Sequence, residues 1–362
     1  MRLARRALLL VGACAPCAAR AAAATPRALV FPRDHGAHPE FGIEWWYVTG
    51  WLRRAEASAP GWGFQLTFFR SRTALRGAGR FAAPQLLFAH AALTDLSARR
   101  LRHAERIVRW NEDPAAPRGA VARDDTHARI GAWSLVRAAD GAYRAVMADD
   151  GSGFGLRLSL TPTQPLLLQG DAGFSRKGPR PNQASHYVSE PQLEARGELS
   201  TGPQRHAVQG RAWLDHEWSS SLLPEGAVGW DWIGINLDDG AALTVFRLRD
   251  PAGRPLWAGG SHRTREGALR VFGPEEVRFE ALAWWDSAAT RARYPVHWRI
   301  DTPAGAHELR ALLDAQELDA RASTGTVYWE GLSELRAPGG TRLGLGYLEM
   351  TGYGAPLRLQ GP

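Results

Sequence analysis

Short runs in which apolar and polar residues alternate recur along most of the chain, separated by Gly, Pro and Asp-Gly. Examples are "GFQLTFFR", "FGLRLSLTP" and "ALTVFRLR". A period of two places side chains alternately on the two faces of a β-strand, and no long stretch shows the period of an amphipathic helix. The Asp-Gly pair at 239–240 is typical of a tight hairpin turn. The pattern therefore predicts an all-β protein, a sandwich or barrel of many short strands.

One predicted strand, "IEWWYVTGW" at 43–51, carries large apolar side chains on both faces. Alternation puts one set on one face: Ile43, Trp45, Tyr47, Thr49 and Trp51. The other face holds Glu44, Trp46 and Val48. Neither face is polar enough to meet bulk water. We therefore predict that one face lines the core of a barrel or sandwich and that the other packs against a second domain.

The second half of the chain echoes the first. "EWWYVTGWL" is followed by "GWGFQLTFFRSR", and "HEWSSSLL" is followed later by "GWDWIGINLDDGAALTVFRLR". "HYVSEPQLEARGEL" near the end of the first half is mirrored by "LGYLEMTGY" near the end of the second. Three landmarks in the same order predict a duplicated β-domain with its seam around 200–210. The predicted domains are residues 27–200 and 205–362, packed together.

Several carboxylates lie among large aromatic residues, which costs free energy unless each is paired or hydrogen-bonded. They are Glu44, Glu217, Asp231, Glu330 and Glu349. Asp231, between Trp230 and Trp232, heads an otherwise apolar strand face. Burial there would keep it protonated, as a proton donor to a weak base requires. The alternative is that each acid bonds a tryptophan N–H or an arginine across the sheet.

The densest polar cluster is "LDHEWSSS" at 214–221. Alternation puts Asp215 and Glu217 on one face of a strand, and His216 and Trp218 on the other. As part of an enzyme, the cluster supplies an acid pair and a histidine beside an aromatic wall. The alternative is a strand end with a capping cluster. The serines lack the GxSxG pattern of a serine hydrolase.

A loop-like stretch, "FPRDHGAHPEF" at 31–41, concentrates Asp34, His35, His38 and Glu40. These are metal-ligand types, but two histidines on a loop are a weak pattern without a third spaced ligand. We interpret the stretch as a loop fixed by its prolines and internal hydrogen bonds, and predict no metal. The chain shows no phosphate-binding Gly-rich motif after a strand and no redox CxxC pair, so nucleotide and thiol chemistry are not expected.

Composition changes this picture in two respects. The chain has 362 residues, 44% hydrophobic and 22% charged, which suits one or two globular domains, and its 15 tryptophans favour aromatic-lined cavities or extensive packing between sheets. The formal net charge is +7, but the arginines are scattered without a run or stripe. We therefore predict no nucleic-acid partner.

The first residues, 1–24, have the basic start, short apolar run and small-residue end of a signal peptide. Export from the cytoplasm is expected. Two forms remain open: cleavage after the alanine run, or a lipobox at "VGAC" that makes Cys14 a lipidated N-terminus. The corresponding locations are the periplasm or a lipid-anchored position at the bacterial envelope.

The strings "FPRDHGAHPEFGIEWWYVTGWL", "GFQLTFFR", "LDHEWSSS", "GWDWIGINLDDG" and "GYLEMTGY" together resemble the carotenoid 1,2-hydratase (hydroxyneurosporene synthase) family and its AttH-type relatives. The resemblance covers about residues 30–355. It implies two tandem lipocalin-like β-barrels packed together. For function it leaves a cofactor-free hydratase that adds water to a terminal alkene, or a non-catalytic carrier or chaperone for a lipid or isoprenoid, associated with a transport system. A third alternative is a purely structural envelope protein whose tryptophans only join the two barrels.

For the hydratase, the resemblance and the alternation together suggest Asp231 as the acid and His216 or Glu217 as the group that holds the water. Aromatic walls would stabilise a carbocation. The expected ligand-binding residues are Trp218, Trp230, Trp232, Glu44, Trp45 and Trp46. The family pattern of a tyrosine and an aspartate on a following strand is replaced here by Phe246, Arg247 and Leu248. The expected partner is an apolar small molecule, and membrane association would come through Cys14 or a transporter.

Overall fold

The structure is a computed structural model that describes residues 22–73, 83–149 and 151–357. The predicted signal segment, including Cys14 and Cys17, lies outside these residues except for 22–24. Within them the chain is all-β, with two short 3-10 helices at Arg33–His35 and Pro274–Glu276. No helix in these ranges is long and apolar enough to cross a membrane.

The first sheet contains strands β1–β13. Their bounds are Ile43–Arg54, Trp62–Arg72, Gln85–Asp95, Arg100–Trp110, Gly119–Val121, His127–Ile130, Trp133–Arg137, Tyr143–Asp149, Phe154–Thr161, Leu167–Leu168, Phe174–Arg176, Ala184–Thr201 and Gln204–Ser219. The order along the sheet is β4-β3-β2-β1-β13-β12-β9-β8-β7-β6-β5, with β10 and β11 paired to β12. Because β4 also packs against β5, this sheet nearly closes into a barrel, here called the N-terminal barrel.

The second sheet contains strands β14–β23. Their bounds are Gly229–Leu237, Ala242–Arg249, Pro255–Arg263, Leu269–Phe272, Arg278–Asp286, Arg293–Thr302, Gly305–Ala311, Glu317–Ala320, Thr326–Arg336 and Arg342–Met350. The order is β17-β16-β15-β14-β23-β22-β20-β19-β18, with β21 paired to β22. The sheet curves around its own apolar core, which includes Ile233, Trp298 and Leu348.

Both sheets follow the same path. In each, a four-strand meander (β1–β4 or β14–β17) is followed by a second series whose last strand returns to pair with the first. The returning strands are β13, beside β1, and β23, beside β14. The expected seam around 200–210 lies at the turn between β12 and β13, and the chain passes to the second sheet only after Ser219. The repeat is therefore visible in topology as well as in sequence.

Strand β1 has the two covered faces that its alternation predicts. Trp46, Val48 and Leu52 lie in the core of the N-terminal barrel. The opposite face carries Tyr47, which packs with residues of the second sheet such as Trp232 and Tyr347. Burial of these aromatic surfaces favours association of the two sheets, since a fully buried large apolar side chain contributes about 1.5–3 kcal/mol.

Hydrogen bonds between the two sheets fix their relative position. The backbone N–H of Gln192 donates to the side-chain oxygen of Asn236 at 2.7 Å, and the side-chain amide of Asn236 donates to the carbonyl of Ala212 at 3.1 Å. Trp232 Nε1 donates to the Tyr187 hydroxyl at 3.0 Å. These bonds satisfy buried donors and acceptors, so the interface has a defined geometry.

Candidate functional site

A chamber lies between the two sheets, lined by residues from both, with a volume of about 110 Å³. Seven aromatic side chains and four carboxylates line it. The wall from the N-terminal barrel includes Trp45, Tyr47, Ser185, Tyr187, Asp215 and Glu217. The wall from the second sheet includes Trp230, Trp232, Phe246, Leu248, Glu330 and Glu349. A concave apolar site with a few convergent polar groups is typical of small-molecule binding.

The strand register places equivalent residues of the two repeats on facing walls. Trp45 of β1 is paired with Glu217 of β13, and Trp232 of β14 is paired with Glu349 of β23. Each sheet therefore presents a tryptophan and a glutamate at the same position of its first and last strands. The same Trp–Glu pair therefore lines the chamber twice, once from each sheet.

The two equivalent glutamates have different surroundings. Lys177, the single lysine of the chain, places Nζ 3.0 Å from Glu217 Oε1, and the Ser185 hydroxyl donates to the same oxygen at 2.5 Å. The Lys177 ammonium also lies 4.6 Å from the ring centroid of Tyr187 and 4.3 Å from that of Phe246. Glu217 is thus held by two donors, a cation and a hydroxyl.

Among the described residues, no cation is paired with Glu349. Burial raises the pKa of Glu349 to about 7, and the charges of Asp215 and Glu217 add to the rise. A hydrogen bond with the Trp230 side chain acts in the opposite direction and lowers the pKa. Its neighbour across the strand pair is Glu330, whose pKa is raised well above its ordinary value by burial and by Glu349. Two adjacent buried carboxyls cannot both ionise cheaply, so this pair carries protons near neutral pH. Glu349 remains partly exposed, whereas Glu330 is buried.

Asp215 is the fourth acid of the chamber. Burial raises its pKa to about 7, against the effect of three donors. Ser189 and Trp213 donate to Oδ1, at 2.5 and 2.7 Å, and the Tyr187 hydroxyl donates to Oδ2 at 2.7 Å. Because these bonds tie Asp215 to the wall, it is less free than Glu349 to exchange a proton with a ligand.

Glu44 does not line the chamber but lies inside the N-terminal barrel. Its carboxylate accepts from Arg70 Nε at 2.9 Å and from the backbone N–H of His38 at 2.8 Å. The rings of His38 and His216 also lie within 2.9 Å of Oε1. Although burial disfavours its charge, His38 and Arg70 hold the pKa of Glu44 well below its ordinary range. Glu44 is thus the centre of a buried ion-pair network.

Ring stacking completes this network. Trp218 stacks on His38 with centroids 3.8 Å apart, and Trp46 stacks on His216 at 4.7 Å. Hydrogen bonds inside the loop at 31–41 hold it: His38 Nε2 lies 3.0 Å from Asp34 Oδ1, and the backbone N–H of Phe41 donates to the carbonyl of His38 at 3.0 Å. From outside the loop, Arg27 and the backbone N–H of Val30 also donate to Asp34, at 2.6–2.9 Å. The expectation that internal hydrogen bonds hold this loop is confirmed.

The donor atoms of His38, Glu44 and His216 lie within 4.8 Å of one another, close enough to surround a metal ion. Their existing bonds do not fit one. Glu44 Oε1 already lies 2.8 and 2.9 Å from the two ring nitrogens, at hydrogen-bond distance, and the Arg70 guanidinium beside the same carboxylate would repel a cation. We interpret the group as a hydrogen-bond network.

Asp231 occupies the equivalent position in the second sheet and is ion-paired. Arg247 Nε lies 2.7 Å and Arg249 Nε 3.0 Å from Oδ2, and the Tyr353 hydroxyl donates to Oδ1 at 2.9 Å. Its register partner is Arg247, as Arg70 is the partner of Glu44. Asp231 faces the core of its own sheet and does not line the chamber. Because both its oxygens are already bonded and it lies away from the chamber, Asp231 is not placed to give a proton to a ligand there.

The structure therefore divides the predicted site residues into three groups. Four line the chamber: Glu217, Trp45, Trp230 and Trp232. Four lie in or beside the network of the N-terminal barrel: Glu44, Trp46, His216 and Trp218. Asp231 stands apart. The chamber adds Tyr187, Lys177, Phe246, Asp215, Glu330 and Glu349, of which only the acids are marked in the sequence by their aromatic neighbours.

Comparison with known proteins gives a consistent family result. The family model described as AttH-like matches residues 22–353. A crystal structure of an AttH protein from Nitrosomonas europaea is 44% identical, with a TM-score of 0.85, and the match covers 92% of this chain and 99% of that one. Kievitone hydratase from Nectria haematococca shares the fold at 13% identity, with a TM-score of 0.67 over 91% of this chain and 94% of that one. No curated protein matches the sequence.

Proposed function

The chain belongs to the AttH-like family, and from this premise we propose that it binds an apolar small molecule in the interdomain chamber and adds water to a carbon–carbon double bond there, without a redox cofactor. The observation that carries the proposal is the pair of equivalent glutamates. Glu349, whose pKa burial raises to about 7, faces the same chamber as Glu217, which is paired with Lys177. One site thus offers both a proton donor and a charged proton acceptor.

The first step is proton transfer to the alkene. The Glu349 carboxyl gives its proton to the less substituted carbon, the π bond breaks, and a tertiary carbocation forms on the neighbouring carbon. An alkene is a weak base, so the donor must be a neutral acid in an apolar site. The faces of Trp45, Trp230 and Trp232 line the chamber and can stabilise the cation.

The second step is capture of the cation by water. The water oxygen bonds to the cationic carbon, and one of its protons passes to the Glu217 carboxylate. Proton exchange with solvent then returns both glutamates to their starting states. The net reaction adds one water and requires no oxidant or reductant. Ser185, which donates to Glu217 at 2.5 Å, keeps that carboxylate oriented toward the chamber.

The ligand class follows from the walls. Tryptophan, tyrosine and phenylalanine faces favour an apolar body, and the mostly neutral acids favour an uncharged ligand. An isoprenoid with a trisubstituted alkene meets both requirements. Export to the periplasm, or anchoring through Cys14, belongs to the same proposal and would bring the protein close to membrane-derived lipids.

The experiment is conversion of an acyclic isoprenoid by the purified protein, with mass spectrometry of the solvent extract. A product heavier by one water is expected. Glu349→Gln should retain the bound isoprenoid but slow hydration about 10²–10⁴-fold, the usual contribution of a general acid. Glu334→Gln, which lies on β22 outside the chamber and contacts Arg336, is the matched control and should behave as wild type.

Three outcomes would each overturn a different part of the proposal. Isoprenoid recovered unchanged in the bound fraction would mean a carrier instead of a hydratase. Failure of any isoprenoid to bind the wild-type protein would reject the ligand class itself. Equal rates for Glu349→Gln and wild type would reject the assignment of the acid.

A further inference from the structure

A second cavity, here called the groove, lies next to the chamber and has a volume of about 600 Å³. It too is lined by residues of both repeats, among them Phe174, Trp257, Ala258, Val271 and Phe272. These side chains give it mainly apolar walls. Carboxylates other than Asp171, which is exposed, are missing from the part of its wall that the structure describes. The groove is therefore wider than the chamber and lacks its buried acids.

Tyr187 and Phe246 line both cavities and form the partition between them. Tyr187 is fixed, because its hydroxyl donates to Asp215 at 2.7 Å and accepts from Trp232 at 3.0 Å. Phe246 is packed against a cation, since the Lys177 ammonium lies 4.3 Å from its ring centroid. On its groove side lies Gly259, where an added Cβ would come within 3.0 Å of the Phe246 ring. The absence of a side chain at Gly259 therefore lets the Phe246 ring pack closely against this strand of the groove wall.

We propose that the groove is a second subsite of the same ligand site: it takes the distal apolar part of a long ligand whose reacting end lies in the chamber, and Phe246 borders both parts. This inference rests on the proposed function, since it names which ligands the chamber accepts. The chamber alone, at about 110 Å³, holds only a slender terminal group. The groove supplies the apolar surface that a longer chain needs.

If the groove is a subsite, the affinity of the protein should increase with the length of the ligand, and a narrower groove should abolish that increase. Val271 lines the groove and is 43% exposed, so Val271→Trp should narrow the groove without disturbing the core. Leu269 lies two residues earlier on the same strand and is 45% exposed, but it does not line the groove. Leu269→Trp is therefore a matched control for an added surface tryptophan.

The test is calorimetric binding of geraniol and of geranylgeraniol to wild type and to both variants. Wild type should bind the longer alcohol at least about tenfold more tightly, because each added isoprene unit buries several more carbon atoms. Val271→Trp should lose most of that gain while keeping its affinity for geraniol, and Leu269→Trp should match wild type. Phe246→Ala, which removes the partition, should favour the longer alcohol further.

The outcomes separate this inference from the proposed function. If neither alcohol binds wild type, the apolar ligand class fails and the subsite fails with it. If both bind with the same affinity, or if Val271→Trp and Leu269→Trp behave alike with geranylgeraniol, the subsite is wrong while the chamber proposal stands. Equal thermal midpoints for the two tryptophan variants show that folding does not explain a difference between them.

Discussion

Glu44 and Asp231, which the sequence marks equally with Glu217 and Glu349, show how far single residues can be interpreted. Alternation assigns each acid to a face of its strand, but it does not tell whether that face lines the core of a sheet or the chamber. Both residues face inward to a sheet core and are paired with an arginine of the neighbouring strand, Arg70 or Arg247. The alternative that acids bond arginines across the sheet is confirmed for these two. Glu217 and Glu349 face outward from their sheets and meet in the chamber.

The buried network predicts a large stability effect at one residue. Glu44→Gln should lower the free energy of unfolding by about 3–5 kcal/mol, because it leaves the buried Arg70 guanidinium without its anion. Urea denaturation measures the change. Glu194→Gln, which removes an exposed ion pair to Arg196, is the control and should cost about 0–1 kcal/mol. A Glu44 variant as stable as this control would contradict the network's importance.

The chamber predicts a pH dependence of hydration. Glu349 must be protonated to act, and burial raises its pKa to about 7, so the rate of product formation should fall as the pH rises through about 7. Mass-spectrometric initial rates across this range measure the profile. Wild type and Glu334→Gln should give the same fall. A rate that is constant or rising through neutral pH would exclude Glu349 as the donor.

At the scale of strands, the apolar pattern predicts the elements well, because period-two alternation is a local property. The double cover of β1 is confirmed by the contacts of Trp46 on one face and Tyr47 on the other. What the pattern does not contain is the register between strands distant in sequence. The pairing of Trp45 with Glu217 joins residues far apart along the chain. The chamber therefore could not be assembled from the sequence alone.

A glycine on β2 sets how closely the second sheet approaches. A Cβ on Gly63 would lie 2.7 Å from Leu332 Cβ and 2.7 Å from the Tyr347 hydroxyl, both in the second sheet. Gly63→Val should therefore loosen the interface and lower the thermal midpoint by several degrees, since overpacking costs about 1–3 kcal/mol. Gly61→Val, where a Cβ meets nothing within 4 Å, is the control. Equal thermal midpoints would show that the interface tolerates the added volume.

For the whole molecule, the chamber acids predict how stability varies with pH. The folded protein keeps protons on Asp215 and Glu349 up to a pKa of about 7, whereas the unfolded chain releases them near 3.8 and 4.5. The free energy of unfolding should therefore fall as pH rises from about 4 to about 7, by up to about 1.4 kcal/mol per pH unit for each group, and then level off. Glu44, whose pKa is lowered, contributes stability that is lost only in acid.

Urea denaturation at a series of pH values measures this dependence. The double variant Glu330→Gln and Glu349→Gln removes Glu349 and its coupled neighbour but keeps Asp215, so the decline between pH 4 and 7 should become shallower. An unchanged slope in the double variant would mean that these carboxyls are already ionised in the folded protein at low pH.

The two equivalent glutamates have a consequence for the origin of the site. A chain with one repeat could build this chamber only as a symmetric homodimer, in which both glutamates, and any lysine beside them, would be identical. Fusion of two copies into one polypeptide allows the halves to diverge. Here Lys177 is paired with Glu217, whereas burial raises the pKa of the equivalent Glu349 to about 7. Two repeats in one chain can thus give the two glutamates different surroundings, which a symmetric homodimer cannot do.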